Sequence, residues 1–477
     1  MNFQDAVKNY HADQSSWRTQ AQNLRKEMTL KEKIYMISGH ALKQTFVDMV
    51  KTKGRFYNVH ALTAGGCERL GIPPVLFTDG PRGVVMGNST CFPVSMLRAS
   101  AFDPELEYRV GKAIAAEAIS QGANYFAGVC INLVRNPRWG RSQETYGEDP
   151  CVLGEYGAAL TKAVQEDGMI ACPKHYAVNS IEDLRFYVDV HCDDRTLHEV
   201  YLPHFKKCVD AGALSIMGAY NRYEESYCCQ SKKLLTDILR DDWGFDGFTI
   251  SDFLWGCHET NGCLRAGLDM EMPITSYYSE SKIMKSLKSG GINVEHIDQA
   301  VDNILGVLIR QIPKLKPYTQ DVVACKAHRE LAREGARKGM VLLENNGVLP
   351  LSKDAKVLVE TFVTNYQEGQ TLRYTVRNQA GKVLSVHETA AKKLCFRLKD
   401  AHLWHGRKDP YLYCCEAELV ENGQVIDRVC TSFGCRSFRI DPDNGFLLNG
   451  EEYPLRGVSR HQDRWGVGNA LLPEHHV

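Results

Sequence analysis

Between residues 74 and 252 the chain keeps repeating one phrase: a short apolar run ending at a polar side chain, then a stretch with apolar residues at helical spacing. The runs are Pro74–Thr78 before Asp79, Phe126–Leu133 before RNPRWGR, Met169–Cys172 before Lys174 and His175, Leu214–Ala219 before Tyr220 and Asn221, and Phe248–Ser251 before Asp252. Glu105–Gln121 and Leu197–Ala211 are amphipathic segments between them. Continuous apolar strands alternating with helices call for a parallel sheet covered on both faces. A length of about 290 residues favours closure into a (β/α)8 TIM-type barrel over an open sheet. In such a barrel chemistry sits at the carboxyl ends of the strands, which is where Asp79, Lys174, His175, Tyr220 and Asp252 fall.

The whole chain, 477 residues, is too long for one ordinary domain, since about 100–200 residues is the usual size. Its 57 basic and 58 acidic residues leave a formal charge of −1. That balance argues against nucleic acid or an anionic membrane as partner, both of which need a basic excess. No apolar stretch approaches the roughly 18–20 residues of a membrane helix, and the N-terminus is polar, so a soluble cytoplasmic protein is expected. The 17 cysteines are odd in number and show no CxxC zinc spacing. They read as scattered buried thiols rather than a disulfide framework, and no metal is assigned.

Pro313, Lys314 and Pro317 stop the helical grammar, and residues 314–355 read as a linker built on the helix HRELAREGARKGMVLLEN before an extended VLPL. From about Lys356 the apolar period changes to 2: Leu372, Tyr374 and Val376 share a face, and EAELVENGQVIDRV pairs two alternating runs across the turn Asn422-Gly423. A second such turn is Asn449-Gly450. Residues 356–440 suffice for one immunoglobulin-like β-sandwich. The remainder, 441–477, is too short for a core of its own, and Phe446, Leu447, Leu448 and Trp465 would expose apolar surface there.

The strand-end groups combine two carboxylates, a Lys-His pair, at least one Arg and several aromatics. Charged groups hydrogen-bond hydroxyls and rings cover apolar sugar faces, so the set suits a polyhydroxylated neutral ligand. No GxxxxGK[ST] or GxGxxG opens a helix, so neither a phosphate nor a dinucleotide cofactor is called for. Each residue also has a plain structural reading: Asp252 as a helix cap, Asp79 as a turn residue, Lys174-His175 as an ion pair, Met217 and Tyr220 as core. Glu144 and Glu148 read as stabilisers of their own loop.

Residues 20 to about 352 resemble the barrel and linker of glycoside hydrolase family 3, the β-glucosidase and β-xylosidase group. The resemblance rests on TDGPRG (78–83), RNPRWGRSQETYGEDP (135–150), CPKHYAVNS (172–180), RTLHEVYLPHF (195–205), MGAYN (217–221), GFTISDF (247–253) and GLDMEMP (267–273). It implies that Asp252 is the nucleophile, with Phe253 in place of the usual Trp. It further implies that Asp79, Arg141, Lys174 and His175 hold sugar hydroxyls in the innermost subsite, flanked by Met217 and Tyr220. Arg135 and Arg138 are rivals of Arg141 in the same loop.

The family's general acid/base is a Glu of a following α/β domain, or in some members a His-Asp pair near KHxPGHGD; here KHYAVNSIED lacks that pattern. After about residue 360 the chain resembles glycoside hydrolase family 2, the β-galactosidase group, in LWHGRKDPYLY (403–413), in residues 433–463 and in GNAL (468–471). That family's catalytic glutamates lie beyond this point, leaving His461 and Asp463 at the rim of an absent site. The expectation is therefore a retaining, exo-acting β-glycosidase with a β-glycoside or oligosaccharide as its partner. The alternatives are a catalytically impaired sugar-binding fusion and, from the tail, a β-galactosidase.

Overall fold

A computed structural model describes residues 1–42, 48, 59–345, 357–398, 401–441 and 445–453. The chain divides into two units, one reaching to Val341 and one covering Leu342–Val458.

In the first unit all five apolar runs are strands. A sixth, β1 (Leu62–Ala64), precedes β2 (Val75–Thr78), β3 (Tyr125–Cys130), β4 (Ile170–Tyr176), β5 (Ser215–Gly218) and β6 (Phe248–Ser251). These form one sheet in chain order, parallel from β2 onward. Every residue of β3, β4, β5 and β6 is buried, as a sheet covered on both faces requires. Isolated bridges extend the ladder from Ile250 to Met270, from Glu271 to Ser38 and from Gly39 to Ala64 of β1. The hydrogen bonds Ser251 N to Met270 O, Glu271 N to Ile37 O and Gly65 N to Ser38 O carry that circuit back to its start.

This differs from a uniform (β/α)8 pattern at β1, which runs antiparallel to β2 with Leu62 opposite Phe77. The connection is short, holding only the turn Glu68–Leu70, whereas a parallel crossover needs about a dozen residues or more. Two further stations of the circuit are single bridges instead of strands.

The helices Pro104–Ser120 and Pro150–Glu166 begin alike: Asp103 and Asp149 accept from backbone N–H groups of the first turn, and Pro follows at the first helical position. They pack closely, since a Cβ on Gly111 would lie 2.7 Å from the Ala163 Cβ. The expected helix over Leu197–Ala211 is a π-type turn, Leu197–Tyr201, followed by an α-helix, Pro203–Asp210. No described helix is long and apolar enough to cross a membrane.

One buried ion pair fixes the loop after β2. Arg98 and Glu107 are fully buried with Arg98 Nε 2.6 Å from Glu107 Oε2, and the Tyr146 hydroxyl donates to Glu107. Arg98 also donates to Pro93 O and, at 3.0 Å, to Pro81 O. Pro81 lies two residues beyond Asp79, so the pair anchors the loop that carries Asp79.

The second unit is antiparallel throughout its described strands: β7 (Val357–Glu360), β8 (Thr371–Arg377), β9 (Val383–Thr389), β10 (Lys393–Phe396), β11 (Tyr413–Glu421), β12 (Gln424–Phe433), β13 (Phe438–Asp441), β14 (Gly445–Leu448) and β15 (Glu451–Glu452). The sheet β9-β8-β11-β12 and the pair β7-β10 meet over Leu372, Tyr374, Val376, Phe396 and Cys415. Asn422-Gly423 and Asn449-Gly450 both have positive φ at the two turn positions, as hairpin turns of this type require. The thiol-only expectation fails in the β11–β12 hairpin. Cys414 and Cys430 are disulfide-bonded with Cα atoms 6.5 Å apart, because the hairpin register brings position 430 opposite Glu416, next to Cys414 on the same face. Leu447 and Leu448 are buried instead of exposed. VLPL, His461, Asp463, Trp465 and the GNAL segment lie outside the described residues.

Replacing Glu107 by Ala leaves the Arg98 charge buried without its carboxylate. The unfolding free energy measured in urea is expected to fall by about 3–5 kcal/mol; a loss within about 1 kcal/mol would contradict the anchoring role.

Candidate active site

Of the seven residues singled out in the sequence, six lie at or just past the carboxyl ends of β2, β4, β5 and β6, and Arg141 stands in the loop that follows β3. Lys174, at 2% exposure, donates to both oxygens of Asp79 at 2.7 Å. Asp79 Oδ1 also accepts from Gly80 N at 2.7 Å, which fixes the carboxylate against its own turn. Burial opposes the Lys174 charge, but the adjacent Asp79 carboxylate prevails and raises the Lys174 pKa.

Arg141 is buried and grips Glu144 through two nitrogens, at 3.1 and 2.7 Å, a bidentate charge-assisted pair. Glu144 therefore holds its own loop, as expected from sequence. A third nitrogen of Arg141 lies 3.0 Å from His175 Nε2. Guanidinium only donates, so Nε2 accepts and the ring proton sits on Nδ1, which donates to Asn132 Oδ1 at 2.8 Å. Asn132 also accepts from His175 N and donates to His175 O, both at 2.8 Å. Sequence reasoning missed this clamp, although its signal was present: Asn132 is the polar residue inside the apolar run FAGVCINL.

Asp252 follows β6, 6% exposed. Its Oδ1 accepts from Phe253 N at 2.7 Å. Its Oδ2 is buried without a hydrogen-bond partner and lies 3.6 Å from His175 Nε2. With that nitrogen accepting from Arg141, the approach is a contact and not an ion pair. Desolvation raises the Asp252 pKa, and the charges of Arg141 and Lys174, then the Phe253 N–H and Arg185, draw it down again. Met217 stands in β5 between Lys174 of β4 and Ile250 of β6. The Tyr220 hydroxyl donates to Phe253 O at 2.8 Å; burial, then the nearby Asp252 charge, raises its pKa.

The site is thus a buried carboxylate with one uncommitted oxygen, facing hydrogen-bond donors that are already oriented. Such an arrangement can attack an electrophilic carbon while donors hold hydroxyl groups around it. It also carries a stability cost. Because the folded-state pKa of Asp252 lies above its unfolded value, the cost is absent at low pH, grows as pH rises through that interval, and is complete above the folded pKa. Asp252→Asn is therefore expected to gain about 1 kcal/mol of unfolding free energy at pH 7 and nothing below the ordinary carboxylate range. Equal destabilisation at both pH values would contradict this.

Residues 27–307 match the glycosyl hydrolase family 3 N terminal domain, and residues 346–436 match glycosyl hydrolases family 2. Thermostable beta-glucosidase B of Acetivibrio thermocellus is 36% identical over 358 residues, covering 71% of this chain and 44% of the relative. An exo-alpha-(1->6)-L-arabinopyranosidase of Bifidobacterium longum is 34% identical over 306 residues, covering 60% of this chain and 40% of the relative. Beta-glucosidase 3B of Thermotoga neapolitana, solved in complex with glucose, superposes with a TM-score of 0.63 at 32% identity over 71% of this chain and 49% of that one. The chain spans less than half the length of these relatives. The family 3 match covers more than half of the chain and includes every residue of the site, so the chain belongs to glycosyl hydrolase family 3.

Proposed function

We propose that the first unit is the sugar-binding and nucleophile-bearing part of a retaining β-glycosidase acting on terminal β-linked sugars. On this reading Asp252 Oδ2 attacks the anomeric carbon, Asp79, Arg141, Lys174 and His175 hold the ring hydroxyls, and Met217 and Tyr220 flank the reacting centre. The observation that carries it is the pairing state of the buried groups. Among the described residues Asp252 Oδ2 is the one carboxylate oxygen of this end that is buried without a hydrogen-bond partner, while Lys174, Arg141 and Asn132 are held in place around it.

The reading takes residues 1–313 as a (β/α)8 barrel, 314–355 as a linker, 356–440 as an immunoglobulin-like sandwich and 441–477 as the start of a second barrel. The β-glucosidases among the relatives favour a glucoside as substrate; the arabinopyranosidase marks how far the sugar can vary within the likeness.

Retention needs a second carboxyl group about 5–5.5 Å away to protonate the leaving oxygen. Two buried acids of this end are already taken: Glu144 by Arg141, and Glu182 by Arg185 and the Trp139 indole N–H. The resemblance gives the acid as a Glu of the domain after the linker or a His-Asp pair near KHxPGHGD; here residues 346–436 match another family and KHYAVNSIED lacks the second pattern. This supports turnover that depends on the leaving group: loss of general acid catalysis costs about 10²–10⁴-fold, most where the leaving group is poor.

A dinitrophenyl β-glucoside is accordingly expected to be hydrolysed, cellobiose scarcely, and Asp252→Ala to lose at least about 10³-fold on the former. The kcat/KM profile should rise with pH as Asp252 ionises, with its midpoint above the ordinary aspartate value. Unchanged hydrolysis by Asp252→Ala would reject the nucleophile, and rapid cellobiose turnover would reject the missing acid.

A further inference from the structure

Past Asp252 the chain brings together two thiols that sugar binding does not use. Cys257 and Cys263 are 2% and 0% exposed, and the Cys257 thiol donates to Cys263 Sγ at 3.3 Å. Among the described residues no other two free cysteines are hydrogen-bonded to each other. The local backbone makes the pair: Glu259 is extended, and the helix Thr260–Ala266 that starts directly after it carries Cys263. That helix is tied down on both sides of the thiol, since Thr260 Oγ1 donates to Tyr277 O at 2.7 Å and Leu268 N to Cys263 O at 3.0 Å.

The loop bearing Cys257 is folded onto the backbone of Asp252 itself. Gly256 N donates to Asp252 O at 3.2 Å, and a Cβ on Gly256 would lie 2.6 Å from that oxygen, so only glycine allows the approach. Between them Leu254 and Trp255 are 42% and 54% exposed, which makes opening of this turn the route by which a small reagent reaches the sulfurs. A disulfide needs its sulfurs about 2.05 Å apart, so closure asks for an approach of roughly 1.2 Å. Cys229 is the nearest rival. Burial first, then Cys263 and Cys228, raise its pKa, but its Sγ donates away from the pair, to Ala219 O at 3.7 Å.

We propose that Cys257 and Cys263 are a site of two-electron oxidation by a hydroperoxide, closing a disulfide that fastens the loop after Asp252 to the following helix. The Cys257 proton points at Cys263, so a thiolate at Cys263 is the one stabilised by the pair; burial, then this hydrogen bond, raises the Cys257 pKa and keeps the proton there. Cys263 sulfur attacks one peroxide oxygen, the O–O bond breaks, and the other oxygen leaves as alcohol or, from hydrogen peroxide, as water. Cys257 sulfur then displaces the sulfenic oxygen as water, and two electrons have passed from the two sulfurs to the peroxide. A small dithiol reverses the change by exchange. The inference stands apart from the sugar reading, because it rests on the thiol pair alone.

The test is peroxide treatment of the reduced full chain, alkylation and peptide mapping without reductant. Trypsin releases 241–265 with both cysteines; after hydrogen peroxide it should be unalkylated and about 2 Da lighter than the dithiol form, and dithiothreitol should restore it. Cleavage after Glu259 should leave its two pieces joined. Hydrogen exchange of the 253–257 amides should slow by at least about threefold in the oxidised chain. Cys257→Ser should leave a sulfenic acid on Cys263 that dimedone captures, and Cys263→Ser should leave Cys257 unmodified. Full alkylation of both thiols at a peroxide concentration that oxidises the exposed Cys91 and Cys151 would overturn the proposal. A bond from Cys263 to Cys229 would overturn the pairing, unchanged exchange the fastening, and dimedone on Cys257 in Cys263→Ser the order of attack.

Discussion

A carboxylate placed almost out of contact with water, with one oxygen unpaired, sets the terms for everything around it. Burial favours the protonated form of Asp252, and a protonated carboxyl group is a poor nucleophile. Arg141 and Lys174 oppose that shift without spending their own hydrogen bonds on Asp252, since they are held by Glu144 and Asp79. The cations thus act at a distance and leave Oδ2 open. Each needs its own support in turn. Asp79 depends on a loop fastened by the buried Arg98–Glu107 pair, and His175 on the three hydrogen bonds of Asn132.

The two units match different families. Family 3 similarity spans 27–307 and contains every candidate residue; family 2 similarity spans 346–436, where the described strands build an antiparallel core with one disulfide. On the proposed reading the first unit binds the sugar and supplies the nucleophile, while Glu144 and Glu182, the buried acids described nearby, are engaged by Arg141 and Arg185. The leaving group then decides the rate.

Much of the first unit was legible because its signals are local. Apolar runs such as PVLFT and FTIS are strands, and the side chains directly after them, Asp79 and Asp252, follow the carboxyl ends of two strands of one sheet despite their separation in sequence. What the sequence hid depends on close geometry. The antiparallel β1 follows from a connection too short for a crossover, and its Leu62–Ala64 run is too brief to stand out. Asn132 was masked by the apolar residues on either side. The Cys414–Cys430 bond depends on hairpin register, which the cysteine count does not encode. Motif resemblance carried Met217 and Tyr220, whose bulk and burial alone read as core.

The central claim is that Asp252 forms a covalent bond to a sugar, and the most direct measurement is trapping. A 2-deoxy-2-fluoro-β-glucosyl donor with a dinitrophenyl leaving group needs no acid for its first step and releases its sugar slowly. Incubation with the intact chain, proteolysis and mass spectrometry should place one fluoroglucosyl group on the peptide containing Asp252, and Asp252→Ala should take up none. Labelling of another carboxylate, or none despite demonstrated glucose binding, would contradict the account.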